Sequence, residues 1–328
     1  FLRPGSGFYN AGRMEKGRDQ IPHWKLSGET IGEPDFCSLG GSGIYPVIHK
    51  KNRRWSRPVV NGKAPFSAKD RSNVMTEIVS EKTKERYYFI DALRGLALIN
   101  MVLYHFSYDI FVIYGQNPDW LGSPAAFFRQ QGICWSFILI SGFSWRFGKA
   151  GNLKRGLFLN GLGLLITVVT WLVIPDEVIF FGILNFIGCA VLLTIPFSKL
   201  GEKIPSLLGA GICLILFALT YHIQSGYLQL GGEILNLPDA LYSGVLTILG
   251  FPGPGFYSSD YFPILPWIFL YWTGWFLYPL IMKSKGIRRF LSIRIPLLSS
   301  IGKKTIWVYV LHQPILMGIC IAWSSFFL

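Results

Sequence analysis

The sequence predicts an all-α, polytopic membrane bundle of about seven transmembrane helices, with a cytoplasmic N-terminus and a disordered N-terminal extension. Three observations carry that expectation. Of 328 residues, 51% are hydrophobic and only 15% charged, with a mean hydropathy of +0.39, whereas soluble domains average about 25% charged residues. A water-soluble fold of this length has no core large enough to hide so much apolar surface, which excludes a soluble enzyme. From residue 88 onward, apolar stretches recur at about the length that crosses roughly 30 Å of hydrocarbon at 1.5 Å rise per residue. The loops between them alternate between rich in and devoid of Lys and Arg, as the positive-inside rule requires of successive crossings.

Residues 1–74 hold 13 Lys and Arg against 6 Asp and Glu, many Gly, Pro and Ser, and no apolar run of spanning length. They show no helical or strand period. Residues 1–85 are therefore expected to be a disordered or non-native extension, with Met75 as a conventional start, ahead of a membrane domain at 86–328. The net charge of +13 does not imply nucleic acid, because the basic residues are not arranged as a groove-tracking patch. Cys134, Cys189, Cys213 and Cys320 lie inside apolar runs and read as packed thiols; Cys37 alone lies outside them.

The expected spans are 89–113, 126–146, 156–174, 179–197, 206–223, 263–282 and 304–325. Runs of this length are too long for barrel strands, and lipid tolerates only helices or closed barrels. Lys82, Lys84 and Arg86 precede the first span. Arg146, Lys149, Lys154 and Arg155 join the second and third, Lys199 and Lys203 the fourth and fifth, and seven basic residues between 283 and 304 the last two. The intervening loops, GQNPDWLGSP, PDEV and residues 224–262, contain no Lys or Arg. The N-terminus is thus expected inside and the C-terminus outside. Residues 224–262 are too long for a turn, and a short interfacial or re-entrant helix is expected near 238–249.

Ionisable residues mark the site. The first span carries Asp91, Arg94, His105 and Asp109, although a charge at the bilayer centre costs at least ~2.5 kcal/mol. At 100° per residue, with Arg94 at zero, His105 falls near ~20° and both aspartates near ~60°. One stripe, facing the bundle interior or a water-filled cleft, therefore holds all four. His105 and Asp109, one turn apart, are spaced as a base with an orienting carboxylate; an ion-paired stripe that only locks helices together is the other reading. The last span adds His312 in VLHQP, where Pro314 frees a backbone carbonyl. Asp260 in SSDYFPILPW and Arg129, next to Gln130 and Gln131, are candidates for a polar acceptor. No phosphate-binding loop, HExxH, zinc-spaced cysteine pair or GxSxG elbow is present, so neither a metal nor a nucleotide hydrolase is implied. Without an internal duplication the halves do not match inverted-repeat transporters, although buried His and Asp also suit a proton-coupled transporter or channel.

FIDALRGLALINMVLYHFSYDI (89–110), SDYFPILPW (259–267) and GKKTIWVYVLHQPIL (302–316) resemble the bacterial members of the heparan-α-glucosaminide N-acetyltransferase catalytic-domain family. The resemblance covers about 86–326. It implies a transmembrane acyltransferase domain that takes acetyl from acetyl-CoA, as co-substrate, to a sugar amine or hydroxyl across the membrane. The wider transmembrane acyltransferases show an Arg, ten residues and then a His on their first helix, as Arg94 and His105 do here. The animal enzymes place a histidine in the loop after that helix, whereas GQNPDWLGSP has none, so the role moves to His105. By this reading His105 is the general base held by Asp109, with His312 the next candidate. Arg94 contacts the thioester or phosphopantetheine, and Asp260 and Arg129 contact the acceptor. A cell-envelope glycan fits this chain better than heparan. The expected partners are membrane lipid and the glycan, with a homo-oligomer compatible, in a bacterial cytoplasmic membrane.

Overall fold

The computed structural model describes residues 86–327; the expectations for residues 1–85, including the Met75 start and Cys37, fall outside them. Among the described residues the fold is all-α apart from one two-stranded hairpin, and six helical units are long and apolar enough to cross a membrane.

Helix α1 (Tyr88–Tyr108) continues into a π turn at Asp109–Ile113. Helix α2 (Pro124–Ser144) starts where its sequence dictates: Pro124 occupies the first helical position, and the Ser123 hydroxyl accepts from the Ala126 N–H at 3.2 Å. A seven-residue 3₁₀ link, Trp145–Gly151, joins it to α3 (Asn152–Val173), and Gly148 in that link leaves helical geometry at φ −113°, ψ 22°. The unit Pro124–Val173 is 50 residues long, about 75 Å if straight. It counts once among the six units, where the sequence predicts two separate spans, because 3₁₀ turns run from one helix to the next, although the chain kinks at Gly148 between helices of 21 and 22 residues.

Helices α4 (Ile183–Gly201), α5 (Ser206–Thr220), α6 (Ile264–Lys283) and α9 (Thr305–Phe327) complete the long elements. The start of α4 lies four residues later than the apolar run predicts. The reason is local: the Phe180 N–H donates to the Ser258 hydroxyl at 2.9 Å, and Ser259 and Phe262 N–H groups donate to the carbonyls of Val178 and Phe181 at 3.0 Å each. The backbone of 178–181 is thus committed to the segment before α6 and cannot wind into helix.

Two short helices in the basic segment, α7 (Lys285–Leu291) and α8 (Pro296–Lys303), were not legible as elements because the segment has no spanning apolar run. The re-entrant helix expected at 238–249 is also absent. Two 3₁₀ turns, Asp239–Tyr242 and Thr247–Leu249, stand there instead, after a hairpin of β1 (Tyr227–Leu230) and β2 (Glu233–Asn236). Gly231 and Gly232 close that hairpin with φ of 58° and 103°, the positive values a two-residue turn needs.

The core gathers around Trp145, Phe186, Trp267, Tyr271, Trp275 and Phe276, all buried. Two indoles in and against it find partners across the packing: Trp145 donates to the Val191 carbonyl and Trp272 to the Thr194 hydroxyl, each at 3.1 Å, whereas the Trp267 and Trp275 N–H groups are buried without a hydrogen-bond partner among the described residues. Helix α8 lies directly on α1, backbone against backbone, at Gly95 and Gly302. Helix α9 packs against α1 and leaves Trp307, Leu311, Ile315 and Ile319 exposed, a face suited to lipid. Cys134, Cys189, Cys213 and Cys320 are free thiols, as expected.

Candidate active site

The polar stripe of α1 does face inward: Asp91, Leu98, Met101 and Asp109 are buried, and Arg94 and His105 are half-buried. It forms one wall of a cavity of about 580 Å³, within the range of small-molecule sites. Four basic side chains, Arg94, Arg155, Lys303 and Lys304, line the cavity, as do Glu177, Ser259 and Asp260. The first group stands on or beside the ends of α1, α3, α8 and α9 that border Lys- and Arg-rich segments. The second stands on the opposite connections, which carry no Lys or Arg. His105, Tyr309 and Gln313 line the wall as well.

Arg94 is fixed by its own helix and by the end of α2. Its guanidinium donates to Asp91 Oδ1 at 2.7 Å and to the Ser144 hydroxyl, while Arg86 Nε donates to the other Asp91 oxygen at 3.0 Å. Two cations on one buried carboxylate leave net positive charge at this end of the cavity, where an anionic ligand is favoured.

Asp109 differs from expectation. Its Oδ1 accepts from Gln313 Nε2 at 2.9 Å, and its Oδ2 is buried without a protein partner. The carboxylate therefore ties α1 to α9, and the bond expected to hold His105 is replaced by the one to Gln313. Asp109 keeps the α-helical register, its N–H donating to the His105 carbonyl; the π turn alters the residues that follow it, and it is the side chain of Gln313 on α9 that takes up the carboxylate.

His105 instead stands among rings. Its imidazole meets Tyr104 edge-on with centroids 5.9 Å apart, and the His312 ring lies 4.8 Å away at 59°. The His312 Nδ1 lies 2.6 Å from the Tyr309 carbonyl oxygen. Tyr309, one turn earlier on α9, donates its hydroxyl to Asp260 Oδ2 at 3.2 Å, which also accepts from the Ile183 N–H at 3.2 Å.

Burial pushes the Asp260 carboxyl above the usual carboxylate range, and the bonds from Ile183 and Tyr309 pull it partly back. A folded-state value above the unfolded one means that the folded protein binds more protons, so stability falls as pH rises through the folded-state value. Asp260→Asn keeps an acceptor oxygen and removes the ionisation. Its melting temperature relative to wild type is expected to increase between pH 4 and pH 8, measured in nanodiscs. A pH-independent difference would show that Asp260 does not titrate in this range.

Arg129 does not reach the cavity. On α2 the residues Gln130, Ile133, Cys134, Phe137 and Ser141 face it, at helical spacing, and Arg129 lies on the other side with Gly132 and Ser136, in a separate groove against α1. Arg129 and Asp260, expected to meet one acceptor, thus line different grooves. Arg155, Tyr309, Glu177 and Ser259 were missed as site residues. Sequence offered only a basic loop residue, an apolar-span tyrosine, and an acid and a serine in loops without Lys or Arg, none of which stands out before the helices are assembled. Ser259 donates to Glu177 Oε2, closing this part of the wall.

A helical bundle with six units of membrane-spanning length, and a cavity lined by an imidazole together with basic and acidic groups, has the architecture of a polytopic membrane protein with an internal binding chamber. The family model described as heparan-alpha-glucosaminide N-acetyltransferase, catalytic, matches residues 86–314, well over half of the chain. The chain belongs to that family and is an acetyl-CoA-dependent transmembrane acetyltransferase. No curated protein and no solved structure matches it.

Proposed function

We propose that the protein moves acetyl from cytoplasmic acetyl-CoA to an amine or hydroxyl of an extracytoplasmic glycan, through the cavity beside α1. The observation that carries this reading is the lining: Arg94, Arg155, Lys303 and Lys304 on one set of helix ends, Glu177, Ser259 and Asp260 on the other, and His105 on the wall. The basic group suits the phosphates of a coenzyme A ester. Carboxylates and a hydroxyl suit the hydroxyls or ammonium of a sugar. In the transfer the acceptor nitrogen or oxygen attacks the thioester carbonyl carbon, the carbon–sulfur bond breaks, and the proton shed by the acceptor ends on the departing thiolate. His105 takes that proton and returns it, a contribution of ~10²- to 10⁴-fold. Arg94, roughly 16 Å along α1 from His105, holds the phosphopantetheine or phosphate end of the donor rather than the reacting carbonyl. A two-step route through an acetylated His105 uses the same groups.

The orientation that delivers the donor from the cytoplasm has seven crossings, with the N-terminus inside and the C-terminus outside. It is supported by the break at Trp145–Gly151, which separates helices of 21 and 22 residues and carries Arg146 and Lys149, and by the alternation of basic loops with loops that contain no Lys or Arg. A reporter fused after Leu328 is expected to behave as extracytoplasmic; a cytoplasmic signal would change the crossing count by one. The activity is tested by incubating purified protein with labelled acetyl-CoA and cell-envelope sugars and identifying the acetylated product by mass. Hydrolysis of acetyl-CoA with no labelled glycan would overturn the acceptor class.

A further inference from the structure

The site as described leaves His105 without the carboxylate expected to hold it, since Asp109 is committed to Gln313. A general-base imidazole needs one nitrogen fixed by a partner so that the other presents its lone pair. His312 supplies the geometry for that task. The Tyr309 carbonyl oxygen 2.6 Å from His312 Nδ1 can only accept, so Nδ1 carries the hydrogen. In the neutral ring Nε2 is then an acceptor, and it is buried with no hydrogen-bond partner. Because Nδ1 is turned to its own helix, Nε2 lies on the far side of the ring. The His105 ring stands 4.8 Å away on the neighbouring helix α1.

We propose that His312 is the positioning residue of the acetyl transfer, accepting the N–H of His105 on Nε2 and so fixing which His105 nitrogen faces the cavity. This rests on the reading of His105 as the base. The Tyr309 carbonyl sets His312, His312 sets His105, and His105 takes the acceptor's proton. As His105 becomes imidazolium, the same Nε2 accepts the hydrogen of the charged ring. The proton then passes to the leaving sulfur, and both imidazoles return to their starting tautomers. The neutral imidazole does here what a carboxylate does in a Ser-His-Asp triad, without a second buried charge.

The test uses the full chain in nanodiscs with ¹⁵N-labelled histidine side chains, and the variants His312→Ala, His312→Gln and His105→Ala. Wild-type spectra are expected to show His312 protonated at Nδ1 only, and His105 as a single tautomer. In His312→Ala the His105 signals should become a mixture of tautomers, and kcat should fall about 10- to 100-fold, the loss typical when a partner orienting a histidine is removed, with KM for acetyl-CoA unchanged. His312→Gln, whose amide oxygen can take the place of Nε2, should recover part of kcat and the single tautomer. A folded His312→Ala or His312→Gln protein with an unchanged His105 tautomer and wild-type kcat overturns the proposal. The base reading fails separately, by wild-type turnover of His105→Ala.

Discussion

His105→Ala is expected to lower acetyl transfer by ~10²- to 10⁴-fold, the contribution of a positioned general base, and to leave equilibrium binding of a non-reactive coenzyme A analogue nearly intact. The two effects separate because the groups are separate. His105 stands three helical turns, roughly 16 Å, along α1 from Arg94, and Arg94 keeps its bonds to Asp91 and Ser144 whatever occupies position 105. The basic residues Arg155, Lys303 and Lys304 lie on other elements. His105 is half-buried and lines the cavity, so its truncation enlarges a chamber that is already open and removes little packing. The measurement is turnover at saturating acetyl-CoA beside analogue binding, both in nanodiscs. Wild-type turnover by a folded variant would remove His105 from the mechanism, and loss of analogue binding would place it at the donor instead.

The reach of the sequence is clear from this helix. Asp91, Arg94, His105 and Asp109 fall on one stripe by counting alone, because a straight α-helix fixes azimuth at 100° per residue and lipid excludes charge from the outer faces. What counting could not give was the partner of each group. Asp109 keeps its place on the stripe, but Gln313, 204 residues further along the chain on a helix that counting cannot set beside it, bonds its carboxylate instead of His105. Arg129 and Gln130 were equivalent as sequence neighbours, yet one step around α2 sends them to different grooves. The same limit applied to residues 224–262: length and lack of Lys and Arg marked the segment, but paired glycines of positive φ made a hairpin ahead of the apolar run, and two 3₁₀ turns stand where that run had suggested a helix. Helix α8 was hidden for the opposite reason, since its eight residues sit in a segment read only for its charge.

That overlooked helix gives the second large effect, Gly302→Ala. A Cβ at Gly302 would stand 1.7 Å from the Asp91 carbonyl oxygen, and one at Gly95 would stand 2.1 Å from the Leu298 carbonyl oxygen. Both obstacles are backbone atoms of hydrogen-bonded helices, so no rotamer change relieves them and α8 must move off α1. Overpacking a fitted interface costs about 1–3 kcal/mol, and here the Ser299 hydroxyl bond to the Tyr88 carbonyl, 3.0 Å long, is pulled apart as well. Helix propensity works the other way, since Ala exceeds Gly by about 1 kcal/mol in a helix, and contact at 1.7 Å overrides it. The displacement also has a functional reading, because α8 ends at Lys303, next to Lys304, and α1 carries Arg94, all on the cavity wall. Gly302→Ala should therefore lower the melting temperature and raise KM for acetyl-CoA in the same protein. Gly161→Ala in α3, where a Cβ meets nothing within 4 Å, should match or slightly exceed wild-type stability and leave KM unchanged. Equal melting temperatures and equal KM for Gly302→Ala and wild type would mean that α8 does not lie against α1 in the membrane, and with it the basic group at the cavity would lose two of its four cations.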